Sequence, residues 1–222
     1  LRPVLASLNS QLIQLTDRNL PNLWLGRRCR EPAYCFTSEQ FNQALEASLT
    51  PGSLVVLGLS PRRLTGPQRS RAQTHLATDE LQQALNDLIP VLERRHSKLL
   101  LIGGLPQVDC PKGQTFTNLF NRSGPDAVIK TCSPSQSWLQ KQNDPQSAVF
   151  NQLRQRHPNR VQVFDTSSLF CTGDPCRLGN DSGELLVWDE LAHLTPTGRL
   201  LLEGQLRRTI QALLLSGESS RL

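Results

Sequence analysis

Near its C-terminal end the chain reads Val187-Trp188-Asp189-Glu190-Leu191-Ala192-His193-Leu194-Thr195-Pro196-Thr197-Gly198. Two carboxylates stand just ahead of a histidine, followed by a helix start of the Leu-Thr-Pro-x-Gly kind. A carboxylate on one imidazole nitrogen fixes the tautomer and leaves the other nitrogen free to accept a proton. One short segment can therefore supply an acid–base pair, and such a pair beside a nucleophile performs acyl transfer. The chain holds four histidines. His75, His96 and His157 fall in a polar stretch or at helix ends, where solvation accounts for them. His193 is the best base in the sequence.

The elements that must position this segment follow from hydrophobic period. Residues 3–15 are expected to form a helix, with Pro3 at its first position and Leu5, Leu8, Leu12 and Leu15 on one face. A short strand is expected at Leu23–Leu25 and a helix over 38–48. Ser53–Leu59 and Lys98–Gly104 are apolar on both faces, as central parallel strands are, and Arg160–Asp165 gives a third. Residues 60–77 read as a polar loop, with a helix opening at Thr78-Asp79-Glu80. Its stripe is Leu81, Leu85, Leu88 and Leu92, and Pro90 is expected to kink it. Residues 105–135 read as a long loop, and 145–157 as a helix capped by Asp144 and Pro145. Leu185–Trp188 reads as a short extended piece. Pro196 begins the last helix, with Leu202, Leu206, Ile210 and Leu213 on one face. Alternating strands and helices imply an α/β fold, a three-layer α/β/α sandwich with a parallel sheet, read as a single domain over residues 1–222. Gly103-Gly104 fits a tight turn at a strand end. Neither a Rossmann fingerprint nor a Walker loop is present.

The six cysteines fall into sequence-local pairs. Fifteen pairings are formally possible; Cys29–Cys35, Cys110–Cys132 and Cys171–Cys176 is the expected set. None has the tight spacing of a zinc site, and no metal or other cofactor is expected. Three disulfides imply an oxidising compartment, periplasmic or otherwise extracytoplasmic. The net charge is +5, but aromatic residues make up only 5% of the chain. The basic residues are scattered apart from Arg62, Arg63, Arg69 and Arg71, so the stripe with aromatic platforms that nucleic-acid binding needs is missing.

The terminal motif resembles the last block of the SGNH (GDSL-like) hydrolase family, Asp-x-x-His-Leu-Ser/Thr-x-x-Gly, which His193-Leu194-Thr195-Pro196-Thr197-Gly198 follows. Leu99–Pro106 with Cys110, then Val161–Asp165, Cys171 and Cys176, and Leu185–Trp188 resemble the SGNH domain fused to bacterial acyltransferase-3 membrane proteins, which O-acetylate surface and cell-wall polysaccharides. The resemblance implies an SGNH/flavodoxin-like sheet and a Ser-His-Asp/Glu mechanism. It also implies an acylated or acetyl-accepting glycan as substrate and an acyltransferase-3 membrane domain as partner. His193 would be the base. Either Glu190 or Asp189 would orient it, with Glu190 favoured by the family's spacing.

The chain departs from the family pattern at the nucleophile. No Gly-Asp-Ser precedes the first helix, so the first strand and its serine are expected upstream of Leu1. Ser60, at a strand end, is a weaker stand-in. Gly58 is the candidate for an oxyanion donor, and Leu59-Ser60-Pro61 stands where the family has Gly-x-Asn-Asp. Three functions compete: an esterase or O-acetyltransferase domain acting on glycans, a non-catalytic remnant that binds carbohydrate or a partner domain, and an unrelated disulfide-stabilised binding domain.

Overall fold

A computed structural model describes residues 38–65, 70–104, 106–189 and 193–215. The helix read at 3–15, the strand at Leu23–Leu25, the Cys29–Cys35 pair and Arg69 lie outside these residues.

Three apolar segments form the strands β1 (Leu54–Gly58), β2 (Lys98–Gly103) and β3 (Val161–Asp165). They pair in the order β1-β2-β3, all parallel. Alternation along β2 sorts its side chains between two layers. Leu99 and Leu101 join Val55 and Val161 beneath α1 (Ser38–Ser48), α3 (Arg71–Arg94) and α5 (Gln136–Arg156). Leu100 and Ile102 face the other way, with Phe164, onto Leu206, Ile210 and Leu213 of α7 (Pro196–Leu215). Leu99, Leu100 and Leu101 are fully buried, each contributing about 1.5–3 kcal/mol of burial. The fold is therefore α/β, with helices on both faces of a parallel sheet.

Three boundaries differ from the sequence reading. First, α3 begins seven residues before Thr78, behind a capping box in which the Ser70 side chain accepts from Gln73 N and the Gln73 side chain accepts from Ser70 N. The polar stretch after Ser70 is the solvent face of a helix, and a one-turn helix α2 (Arg62–Thr65) precedes it. Pro90 lies inside α3, which continues to Arg94. Second, the long loop is largely helical. The helix α4 (Phe116–Cys132) is capped by Thr115 and interrupted at Gly124, where φ is 77°. Third, α5 starts at Gln136 under a Ser135 cap and runs through Pro145. Each cap satisfies an otherwise unpaired N–H of the first turn, and prolines in mid-helix concealed how far the helices extend.

A short helix α6 (Ser167–Phe170) follows β3 directly. Cys110 is disulfide-bonded to Cys132, and Cys171 to Cys176. Among the described residues no helix is long and apolar enough to cross a membrane.

Candidate active site

Residues 185–189 and 193–195 are tied down by backbone bonds before any chemistry is asked of them. Leu186 N donates to Leu178 O at 2.8 Å, and Thr195 N donates to Leu186 O at 3.0 Å. Val187 bridges Leu194 in antiparallel fashion, and Trp188 N donates to His193 O at 3.0 Å. Trp188 and His193 are thus brought side by side. Buried anchors hold the residues just before Trp188. Val187 packs with Val108, Phe116 and Cys132, beyond the end of β2. Leu186 packs with Phe170 and Leu202, beyond the end of β3. The loop therefore sits past the carboxyl ends of the strands, where open parallel sheets bind their ligands.

The Leu-Thr-Pro-x-Gly run has a physical reading at each position. Leu194 supplies the bridge to Val187. Thr195 Oγ1 accepts from Gly198 N at 3.0 Å and donates to Leu185 O at 2.6 Å, so one hydroxyl caps α7 and ties it to the loop. Pro196 occupies the first helical position, where its missing N–H costs nothing. At Gly198 a Cβ would lie 2.0 Å from Leu186 O. Only glycine lets the helix start come this close to the extended piece.

Within the loop, Asp189 grips His193 twice. Its Oδ1 accepts from the His193 backbone N–H at 3.1 Å, and its Oδ2 lies 2.5 Å from Nδ1. The carboxylate therefore accepts a hydrogen bond from Nδ1–H, and Nε2 carries the free lone pair. The Asp189 side chain is 20% exposed and that of His193 57%, so the orienting acid is sheltered while the ring is open to solvent. No described hydroxyl bonds Nε2. The indole of Trp188 lies beside the imidazole, with ring centroids 5.8 Å apart.

The other candidates are more dispersed. Glu190 lies outside the described residues. Gly58 ends β1 and is exposed, with Ile102 Cβ 3.9 Å from where a side chain would begin. Ser60 is half-buried in the turn after it. Gly104 has a φ of +63°, and a Cβ there would strike Asp165 Oδ1, so the second glycine of Gly103-Gly104 serves a left-handed turn at a strand end.

One feature carried no signal in the sequence. Gln107, Asn143 and Gln146 form a buried polar group. Gln107 Nε2 donates to Asn143 Oδ1 at 3.2 Å, and Gln146 Nε2 donates to Leu59 O at 2.9 Å. Through them α5 ties down the loops that follow β1 and β2. A capping box or hydrophobic stripe can be seen in a sequence; three amides converging from two segments cannot. Among the described residues no three His, Cys, Asp or Glu side chains converge as metal ligands.

A family model described as "SGNH domain (fused to AT3 domains)" matches residues 1–208. The chain belongs to this family. No curated protein matches it.

Proposed function

For this member of the SGNH family, we propose an acyl-transfer domain, an ester hydrolase or O-acyltransferase, that acts on acylated cell-surface glycans. The observation that carries the reading is the double contact of Asp189 with His193, which directs Nδ1 to the carboxylate and leaves Nε2 as the nitrogen for proton transfer. His193 Nε2 takes the proton of a serine hydroxyl as its oxygen attacks the ester carbonyl, then returns that proton to the departing alcohol. Water completes hydrolysis; a sugar hydroxyl completes transfer. Asp189 holds the ring and stabilises its charged form, the part for which the family's spacing favoured Glu190. Gly58 is the proposed oxyanion donor. The reading requires a nucleophilic serine, and no Gly-Asp-Ser stands in the sequence Leu1–Leu222.

Two disulfides and a family described as fused to AT3 domains support an extracytoplasmic site of action beside an acyltransferase-3 partner. One observation favours a second reading, a non-catalytic domain that binds acylated carbohydrate or a partner: the sequence contains no Gly-Asp-Ser.

The test is acetate release from O-acetylated polysaccharide by the product of the intact reading frame. Release that is lost in His193→Ala supports catalysis. Binding of the polysaccharide with no release supports the second reading.

A further inference from the structure

The geometry points to Trp188 as a platform on which the sugar ring of the substrate stacks beside His193. This inference rests on the acyl-glycan reading of the site. Trp188 is 60% exposed, while the preceding Leu186 and Val187 are 3% and 0% exposed. A tryptophan is normally among the more buried side chains, and here the chain turns its largest apolar ring outward directly after two core residues. Trp188 N donates to His193 O, and Val187 bridges Leu194, so the backbone at Trp188 and just before it is tied to the strand-like piece that carries His193.

The indole is tilted 35° from the imidazole at 5.8 Å. A flat apolar surface therefore stands directly beside the imidazole that moves the proton. A pyranose presents an apolar C–H face and a polar rim of hydroxyl and ester groups. Stacked on the indole, it would cover the exposed face while directing its rim toward His193. Trp offers large contact area with few torsions to freeze, and its N–H remains available as a polar handle. The platform would select acyl groups carried on sugars over free short-chain esters.

The test is saturation-transfer NMR with an O-acetylated methyl glucoside, on wild type, Trp188→Ala and Trp188→Tyr. The expected result is saturation of the pyranose ring protons in wild type and in the tyrosine variant, with affinity about tenfold weaker in the alanine variant, the size of one lost aromatic contact. Saturation of the acetyl methyl group that is equal in wild type and Trp188→Ala would overturn the platform and leave the acyl-site reading standing. No saturation of the glucoside in wild type would also overturn the platform; acetate release then decides the acyl-glycan reading separately. Since the indole is exposed, both variants are expected to fold, and unchanged amide spectra check this.

Discussion

Asp189 Oδ2 lies 2.5 Å from His193 Nδ1 while Asp189 Oδ1 accepts from the His193 backbone N–H. One carboxylate thus fixes both the ring and the loop that carries it. An exposed ion pair contributes only about 0.2–1 kcal/mol to stability, so its main consequence is orientation. Nitrogen-15 NMR of the imidazole is expected to show the Nδ1–H tautomer of the neutral ring. In Asp189→Ala that preference is lost, while global stability falls by no more than about 1 kcal/mol. An unchanged tautomer in the variant would contradict the assignment of Asp189.

Gly198→Ala places a Cβ against the backbone carbonyl of Leu186, which has no flexible end to move aside. A loss of about 1–3 kcal/mol in urea unfolding is expected. Gly204 lies on the exposed face of the same helix, with nothing closer than Arg208 Nη1 at 3.9 Å. There the same substitution is expected to stabilise by about 0.5–1 kcal/mol. Similar effects at the two positions would show that the close approach at Gly198 is not a constraint.

The strands, and the two carboxylates ahead of His193, were legible in the sequence for the same reason: each is a local pattern. Leu99–Ile102 is apolar on both faces because two helical layers cover β2. Asp189 and His193 meet within one loop, so spacing alone brought them together. Family spacing favours Glu190, which lies outside the described residues, whereas Asp189 is seen to bond His193. Helix lengths were misread wherever a proline lies inside a helix, as Pro145 does in α5, because neighbouring packing outweighs local propensity. The Gln107–Asn143–Gln146 group depends on contacts between distant segments, and no periodicity announces it.

The Cys110–Cys132 bond closes a separation of 22 residues and Cys171–Cys176 one of 5. Loop-closure entropy gives the longer loop the larger share, on the order of 3 kcal/mol. Cys132 is also fully buried, and Asp109 N donates to its carbonyl at 3.0 Å. Cys110→Ala/Cys132→Ala is expected to lower urea stability by about 2–4 kcal/mol, and Cys171→Ala/Cys176→Ala by less. The reverse order would contradict this.

Arg94 makes a bidentate contact with Glu46, bonding through Nε at 2.8 Å and Nη2 at 2.6 Å. That hydrogen bond holds the Glu46 carboxyl below its ordinary value of 4.5. The pair therefore stabilises the fold above that value and loses its effect as the pH falls through the lower, folded-state pKa. Glu46→Gln is expected to flatten the acid limb of the stability–pH curve, with the difference from wild type largest near neutrality and vanishing in strong acid. A constant offset across the whole range would exclude the ion pair as its source.

Kinetics of acetyl-ester cleavage by the product of the intact reading frame bear most directly on His193 as a base held by Asp189. Wild type is expected to release acetate from an O-acetylated methyl glucoside, with Asp189→Asn slower by roughly 10⁴ and His193→Ala by roughly 10⁶ in kcat, as for other triads that lose the orienting acid or the base. Turnover in His193→Ala at the wild-type rate, or none in wild type itself, would contradict acyl-transfer catalysis at this site.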